Sequence, residues 1–147
     1  MKVNAKGVWL GCKYAIARFL KQKPIVTPRG ERVRSRVASI GGLVGIALEP
    51  ACCASKGEVV NLNREPAIDH ALDRINVNVI CPGFLATKML RSLLQKEDTN
   101  KLLHDRPLWP RAGKTEDVAK APLFLASDDA EWMTGSMLTV DGAFTAR

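Results

Sequence analysis

The run Ile75-Asn76-Val77-Asn78-Val79-Ile80 constrains the fold more than any other stretch of this chain. It alternates and is rich in β-branched residues, so it reads as a buried strand. Pro82-Gly83 breaks it, because proline cannot donate to a continuing ladder. Helical patterns flank it. Residues 2–21 place Ala5, Val8, Trp9, Cys12, Ile16, Phe19 and Leu20 at three- and four-residue steps, with Lys2, Lys6, Lys13 and Arg18 on the other face. That spacing predicts an amphipathic helix, ended by Pro24, Pro28 and Gly30. A second helix is expected from about Cys52 to Leu72 and a third over 88–104. A fourth should run from Thr115, a good N-cap followed by Glu116 and Asp117, toward Leu125. Short strand-like runs stand at Val37-Ala38-Ser39-Ile40 and Met137-Leu138-Thr139-Val140. Strands alternating with helices imply parallel pairing through helical crossovers, an α/β fold.

A length of 147 residues suits a single domain with one core. No apolar run approaches the roughly 20 residues that span a bilayer. Met1-Lys2-Val3-Asn4-Ala5-Lys6 lacks the apolar block of a signal peptide, so a cytoplasmic location is expected, with no membrane partner. Cys12, Cys52, Cys53 and Cys81 show no CxxC spacing, which argues against zinc and for reduced thiols. The net charge of +7 is concentrated, with Lys21, Lys23, Arg29, Arg32, Arg34 and Arg36 inside sixteen residues. Such a run could attract phosphates or nucleic acid. It carries no aromatic residue for base stacking, and a solvated loop is the preferred reading.

Gly41-Gly42-Leu43-Val44-Gly45 is not a dinucleotide fingerprint, which needs a strand before it and a helix straight after. Its setting is more informative. Ser39 precedes it, Cys52 stands thirteen residues past Ser39, and Lys56 four residues past Cys52. Asn4-Ala5-Lys6-Gly7, Pro82-Gly83-Phe84-Leu85-Ala86-Thr87, Phe124-Leu125-Ala126-Ser127-Asp128, Thr134-Gly135 and Val140-Asp141-Gly142 complete the set. In this order the motifs resemble the C-terminal half of a short-chain dehydrogenase/reductase over essentially the whole chain. Asn4 stands in that family's NxxG, Ser39 at its catalytic Ser, Lys56 at its catalytic Lys, and residues 82–87 in the PGxxxT segment that lines the nicotinamide.

The resemblance implies a partial Rossmann-like, doubly wound parallel sheet. It implies hydride transfer between NAD or NADP and a small-molecule carbonyl or secondary alcohol. In the family a Tyr gives or takes the hydroxyl proton, the Lys lowers the Tyr pKa and holds the nicotinamide ribose, the Ser polarises the substrate oxygen, and the Asn holds a water. Catalytic roles therefore fall by position on Asn4, Ser39 and Lys56, and cofactor-binding roles on Lys56, Pro82, Gly83, Leu85 and Thr87. No metal is implied. The segment from Met89 to Pro110 would form the substrate lid.

The chain departs from the family at three points. The Tyr position is Cys52. Its thiol reaches about 4 Å less far than a phenol, by bond-length arithmetic, whereas proton transfer needs heavy atoms about 2.6–3.2 Å apart. Lys56 at i+4 could still favour a Cys52 thiolate, although an inert thiol is the preferred reading. Tyr14, the single tyrosine, would stand about 15 Å along the helix axis from Asn4, so it is not an obvious substitute. The Gly-rich turn that receives the pyrophosphate is absent from residues 1–147, so weak or no cofactor binding is expected of this chain alone. Finally, the run 34–39 looks short and polar for the strand that delivers the Ser. Pro66 and Pro122 fall inside expected helices, where proline costs roughly 3 kcal/mol or more.

Three functions remain at this level. The first is an NAD(P)-dependent oxidoreductase, impaired or inactive in this truncated chain, whose 147 residues form the C-terminal portion of an NAD(P)-binding domain. The second is a non-catalytic fragment that forms a homo-oligomer or joins related subunits through a helical face containing Trp9, Cys12, Ile16, Val59 and Ala67. The third, nucleic-acid binding through the basic run, ranks last.

Overall fold

The computed structural model describes residues 2–22, 32–90 and 109–146, with only the backbone described at 32–35. Three strands form one parallel sheet in the order β1 (Arg32–Val37), β2 (Ile75–Pro82), β3 (Met137–Val140). Arg32 pairs with Ile75 and Val37 with Ile80 on one side of β2, while Val79 pairs with Met137 and Pro82 with Val140 on the other. The helices are α1 (Val8–Lys21), α2 (Pro50–Asp69) and α3 (Thr115–Leu125).

Strand β2 is buried along its whole length because it is central and covered on both faces. Ile75 and Val77 pack with Cys12 and Ile16 of α1 and Ala67 of α2, and Val79 and Cys81 with Val59 and Val60 of α2. The alternate residue Ile80 packs with Ala121 and Leu125 of α3. Each fully buried Val or Ile side chain contributes about 1.5–3 kcal/mol, so this strand anchors both layers. Asn76 and Asn78 share the α3 face and are satisfied there. Asn76 Nδ2 donates to Glu131 O (2.9 Å) and Asn78 Nδ2 to Met133 O (2.6 Å), while Asn78 Oδ1 accepts from Ser136 N (3.1 Å). They clip down the chain just ahead of β3. The architecture is the α/β doubly wound parallel sheet that the motifs imply.

Several local expectations change. The first helical stretch opens with a π turn, Lys2–Gly7, before α1 begins. Helix α2 starts two residues early because Pro50 takes its first turn, where the missing amide proton costs nothing. Lys114, not Thr115, is the N-cap of α3. Its backbone N–H donates to Asp117 Oδ2 (2.7 Å), and Thr115 Oγ1 turns to Glu116 instead. Arg32–Arg36 is not a loop but most of β1, drawn into register by β2. The strand is long enough to pair with β2 from Arg32 to Val37, and the Arg36 within it is buried and hydrogen-bonded. Lys23 and Arg29 of the basic run, and most of the helix expected over 88–104, lie outside the described residues. Pro66 and Pro122 sit inside α2 and α3, which continue three residues beyond each. Among the described residues, no helix is long and apolar enough to cross a membrane.

Candidate active site

Parallel strands converge their connections at one end, and in open α/β sheets ligands bind outside the carboxyl ends of the strands. Ser39 follows β1, Cys81 and Pro82 close β2, and Asp141 follows β3. The Ser39 hydroxyl accepts from the Gly41 N–H (3.2 Å), opening a 3-10 turn over Ile40–Gly42. That turn lies directly on α2. A Cβ placed on Gly42 would stand 2.6 Å from the Lys56 carbonyl oxygen and 2.8 Å from Val60 Cγ2. Two backbones therefore meet where no side chain fits, which fixes Ser39 relative to the helical turn bearing Lys56. Cys53 fastens the rest of the loop, with Sγ accepting from Ile46 N–H (3.4 Å) and facing Val44 O (3.9 Å).

The same turn of α2 holds Cys52 and Ser55. Ser55 Oγ donates to Cys52 O (2.9 Å), and Asn4 Nδ2 reaches Ser55 Oγ (3.4 Å) from the π turn. Asn4 is thus tied to the turn that carries Cys52 and Lys56. Burial pushes the Cys52 thiol above its usual 9.0, and the nearby Glu49 carboxylate and Cys53 push the same way against the Lys56 charge. A neutral thiol is favoured at pH 7, so Lys56 does not produce the thiolate that its i+4 spacing allowed. Cys81 is also raised by burial, with the Ser39 backbone and the Lys56 charge in opposition. The Ser39 backbone and the Lys56 charge thus both act on Cys81 at the end of β2. All four cysteines are free thiols, and among the described residues no cluster suits a metal.

The segment after Cys81 is held from below by the C-terminal residues. Gly83 N donates to Val140 O (3.1 Å), and a Cβ on Gly83 would collide with Asp141 Cα at 2.7 Å. Leu85 bridges to Gly113 in parallel fashion, and Phe84 meets Phe144 edge-on at 5.2 Å. Asp141 accepts from Ala143 N, Thr145 N and Thr145 Oγ1, closing the turn on which Gly83 rests. The Thr87 hydroxyl accepts from Leu90 N–H (3.4 Å) and keeps its own proton to donate.

The Ser39 loop and the α2 turn of Cys52 and Lys56 thus pack together, Asn4 joins through Ser55, and Pro82, Gly83, Leu85 and Thr87 lie on the connection that leaves β2. Sequence reasoning missed Cys53, Ser55, Cys81 and Gly113. Only Ser55 and Cys81 had a signal, their adjacency to Lys56 and Pro82. The proposed lid falls mostly outside the described residues.

Residues 1–145 match the family model described as enoyl-(acyl carrier protein) reductase. A 2-(S)-hydroxypropyl-CoM dehydrogenase 3 from Xanthobacter autotrophicus is 38% identical over 99% of this chain and 56% of its own length. An inactive 2-(S)-hydroxypropyl-CoM dehydrogenase 2 from the same organism is 39% identical over 99% of this chain and 62% of its own. Among solved structures, a gluconate 5-dehydrogenase from Burkholderia cenocepacia in complex with NADP and tartrate superposes with a TM-score of 0.86. It is 25% identical, over 100% of this chain and 55% of that one. The chain spans a little over half the length of these relatives.

Proposed function

Because the chain belongs to the short-chain dehydrogenase/reductase family, we propose that residues 1–147 are the substrate-side, C-terminal part of an NAD(P)-dependent oxidoreductase domain acting on a small carbonyl or secondary alcohol. Its ordinary chemistry is impaired at the proton-transfer position. The observation that carries this reading is the close packing of the loop that opens at Ser39 on the Lys56 backbone at Gly42, with a short, neutral thiol at Cys52 between Ser39 and Lys56 in sequence.

The donor set fits the nicotinamide end of the cofactor. Lys56 offers an ammonium to ribose hydroxyls, Thr87 a hydroxyl to a carboxamide or phosphate oxygen, and Pro82-Gly83 a backbone packed closely against Asp141. Bound there, NAD or NADP would supply or accept the hydride. Ser39 accepts from Gly41 N–H, so its own O–H is free to polarise a substrate oxygen. Asn4 would hold a water beside Ser55. Cys52 would stop short of the substrate oxygen and, as a neutral thiol with a raised pKa, would be a poor base for an alcohol.

The test is NAD(P)H oxidation against a panel of small ketones, comparing the parent with Cys52→Tyr. No turnover in the parent is expected, and measurable turnover in Cys52→Tyr when the chain is joined to the nucleotide-binding half of a full-length relative. Turnover in the parent, unchanged by Cys52→Ala, would refute impairment. Failure of Cys52→Tyr despite retained NAD(P)H binding would refute the assigned roles.

A second reading, association with another copy or a related subunit, has one observation in its favour. Cys12, Ile16, Val59 and Ala67 are spent on the protomer's own core, so they cannot form the interface. Trp9 and Leu20 remain exposed on α1, beside a groove of about 290 Å³ against Leu62 and Glu65 of α2. Light scattering at increasing concentration, alone and with a full-length relative, tests it. A monomer in both would remove it.

A further inference from the structure

Helix α2 has a gap in its ladder that another element fills. An α-helical amide donates to the carbonyl four residues earlier, so Pro66 leaves Leu62 O without its partner and its ring crowds that carbonyl. Helix α2 nevertheless continues to Asp69, with His70 N–H donating to Pro66 O (3.2 Å). The Leu62 carbonyl receives Nη1 of Arg36 instead, at 3.1 Å. Arg36 is only 6% exposed, and its Nη2 donates to Cys12 Sγ on α1. A planar guanidinium holds its donors in a fixed fork, which suits bridging two elements at once better than a single ammonium.

We infer that Arg36 and Pro66 are one interdependent unit, in which the Arg36 guanidinium replaces the amide proton that Pro66 removes from α2 and so makes Arg36 a positioning residue for Ser39. Arg36 pairs with Val79 in the sheet, three residues before Ser39. Leu62 lies about 9 Å along α2 from Lys56. The clamp therefore fixes the strand that delivers Ser39 to the helix that carries Lys56. The claim about Ser39 rests on the proposed function, whereas the pairing with Pro66 does not.

The experiment is a thermal double-mutant cycle on the full chain: parent, Arg36→Met, Pro66→Ala and the double variant. Arg36→Met should lower Tm by roughly 5–10 °C in the parent. It should lower Tm by less than half as much in Pro66→Ala, where Leu62 O regains its amide partner. Equal losses in both backgrounds would overturn the inference. If Arg36→Met alone does not fold, the double variant should fold, and its failure overturns the inference equally. Site-resolved labelling of Cys81, the buried thiol beside Ser39 and Lys56, gives the positioning readout. Labelling should speed up at least tenfold in Arg36→Met (or, if that variant is unfolded, in Arg36→Lys) and return toward the parent rate in the double variant. Unchanged labelling would confine Arg36 to a role remote from Ser39. These results are independent of turnover by Cys52→Tyr, so failure of the proposed function would be recognised separately.

Discussion

Adding one methyl group at Gly42 should loosen the site more than any other change of that size in its loop. The new Cβ would lie 2.6 Å from Lys56 O, 2.8 Å from Lys56 C and 2.8 Å from Val60 Cγ2. The first distance is roughly 0.8 Å short of the 3.4 Å at which ordinary contact begins. Two of the three obstacles are helix backbone, which cannot swing aside as a long side chain can. Helix α2 must shift bodily or the 3-10 turn must lift. Overpacking of this kind costs about 1–3 kcal/mol, a large share of a typical stability of about 5–15 kcal/mol. Gly45, three residues on, supplies the control, because a Cβ there meets nothing within 4 Å. Its φ is not in the left-handed region, so Gly45→Ala should be neutral or stabilise by about 0.4–1 kcal/mol through the unfolded chain. Urea denaturation of both variants with a common m value decides the matter. A Gly42→Ala cost within 0.5 kcal/mol (roughly the noise of surface substitutions) or equal to that of Gly45→Ala would refute the close crossing of the two backbones.

Other consequences can be checked on the same preparation. Asn78→Ala strips buried partners from both Met133 O and Ser136 N and should cost about 2–5 kcal/mol, whereas Asn76→Ala, with one bond at stake, should cost about 1–2 kcal/mol; equal costs would refute the two-ended clip. The Arg111 guanidinium and the Lys114 backbone N–H hold the Asp117 carboxyl at about 2 against an ordinary 3.8. A depressed carboxyl stabilises above its unfolded value and loses that stabilisation as pH falls through about 2, so Asp117→Asn should flatten the acid limb of Tm against pH; an unchanged limb would count against the pair. Iodoacetamide should label Cys52 slowly at pH 7, faster in Glu49→Gln and more slowly in Lys56→Met, since those charges act in opposite senses on the thiol; a reversed order would refute that electrostatic balance.

The strongest parts of the fold were legible because their signals are local and periodic. Strand β2 announces itself by β-branched residues between a turn and Pro82-Gly83, and α1 by its three- and four-residue spacing. The motif residues Ser39, Lys56, Pro82 and Gly83 were singled out by their resemblance to the family's motifs, and the fold sets the segments that carry them at one end of the sheet. What stayed hidden depends on partners far away in the chain. Nothing local marks Arg36 as buried, because its partners are Leu62 and Cys12 on two other elements. Asn76 and Asn78 stand in a run that reads as buried, but nothing local names the backbone partners over 131–136 that satisfy them. Cys12, Ile16, Val59 and Ala67 formed a plausible docking face only while the sheet they cover was out of view. The N-cap of α3 moved to Lys114 because a carboxylate three residues on competes for the role that hydroxyl chemistry suggested for Thr115.

The π turn over Lys2–Gly7 sets the angular phase of everything that follows it on the same axis. Such a turn accommodates one residue more than an α turn, and each residue advances the helix by about 100°. Deleting a single residue there can be absorbed by closing the π turn to an α turn, whereas inserting one would carry Asn4 roughly a quarter-turn away from Ser55 if Cys12 and Ile16 kept their places in the core. The N-terminal segment should therefore tolerate many substitutions and the loss of one residue, yet not the gain of one, since only Ala5 of the turn is buried and the residue count aims the Asn4 amide.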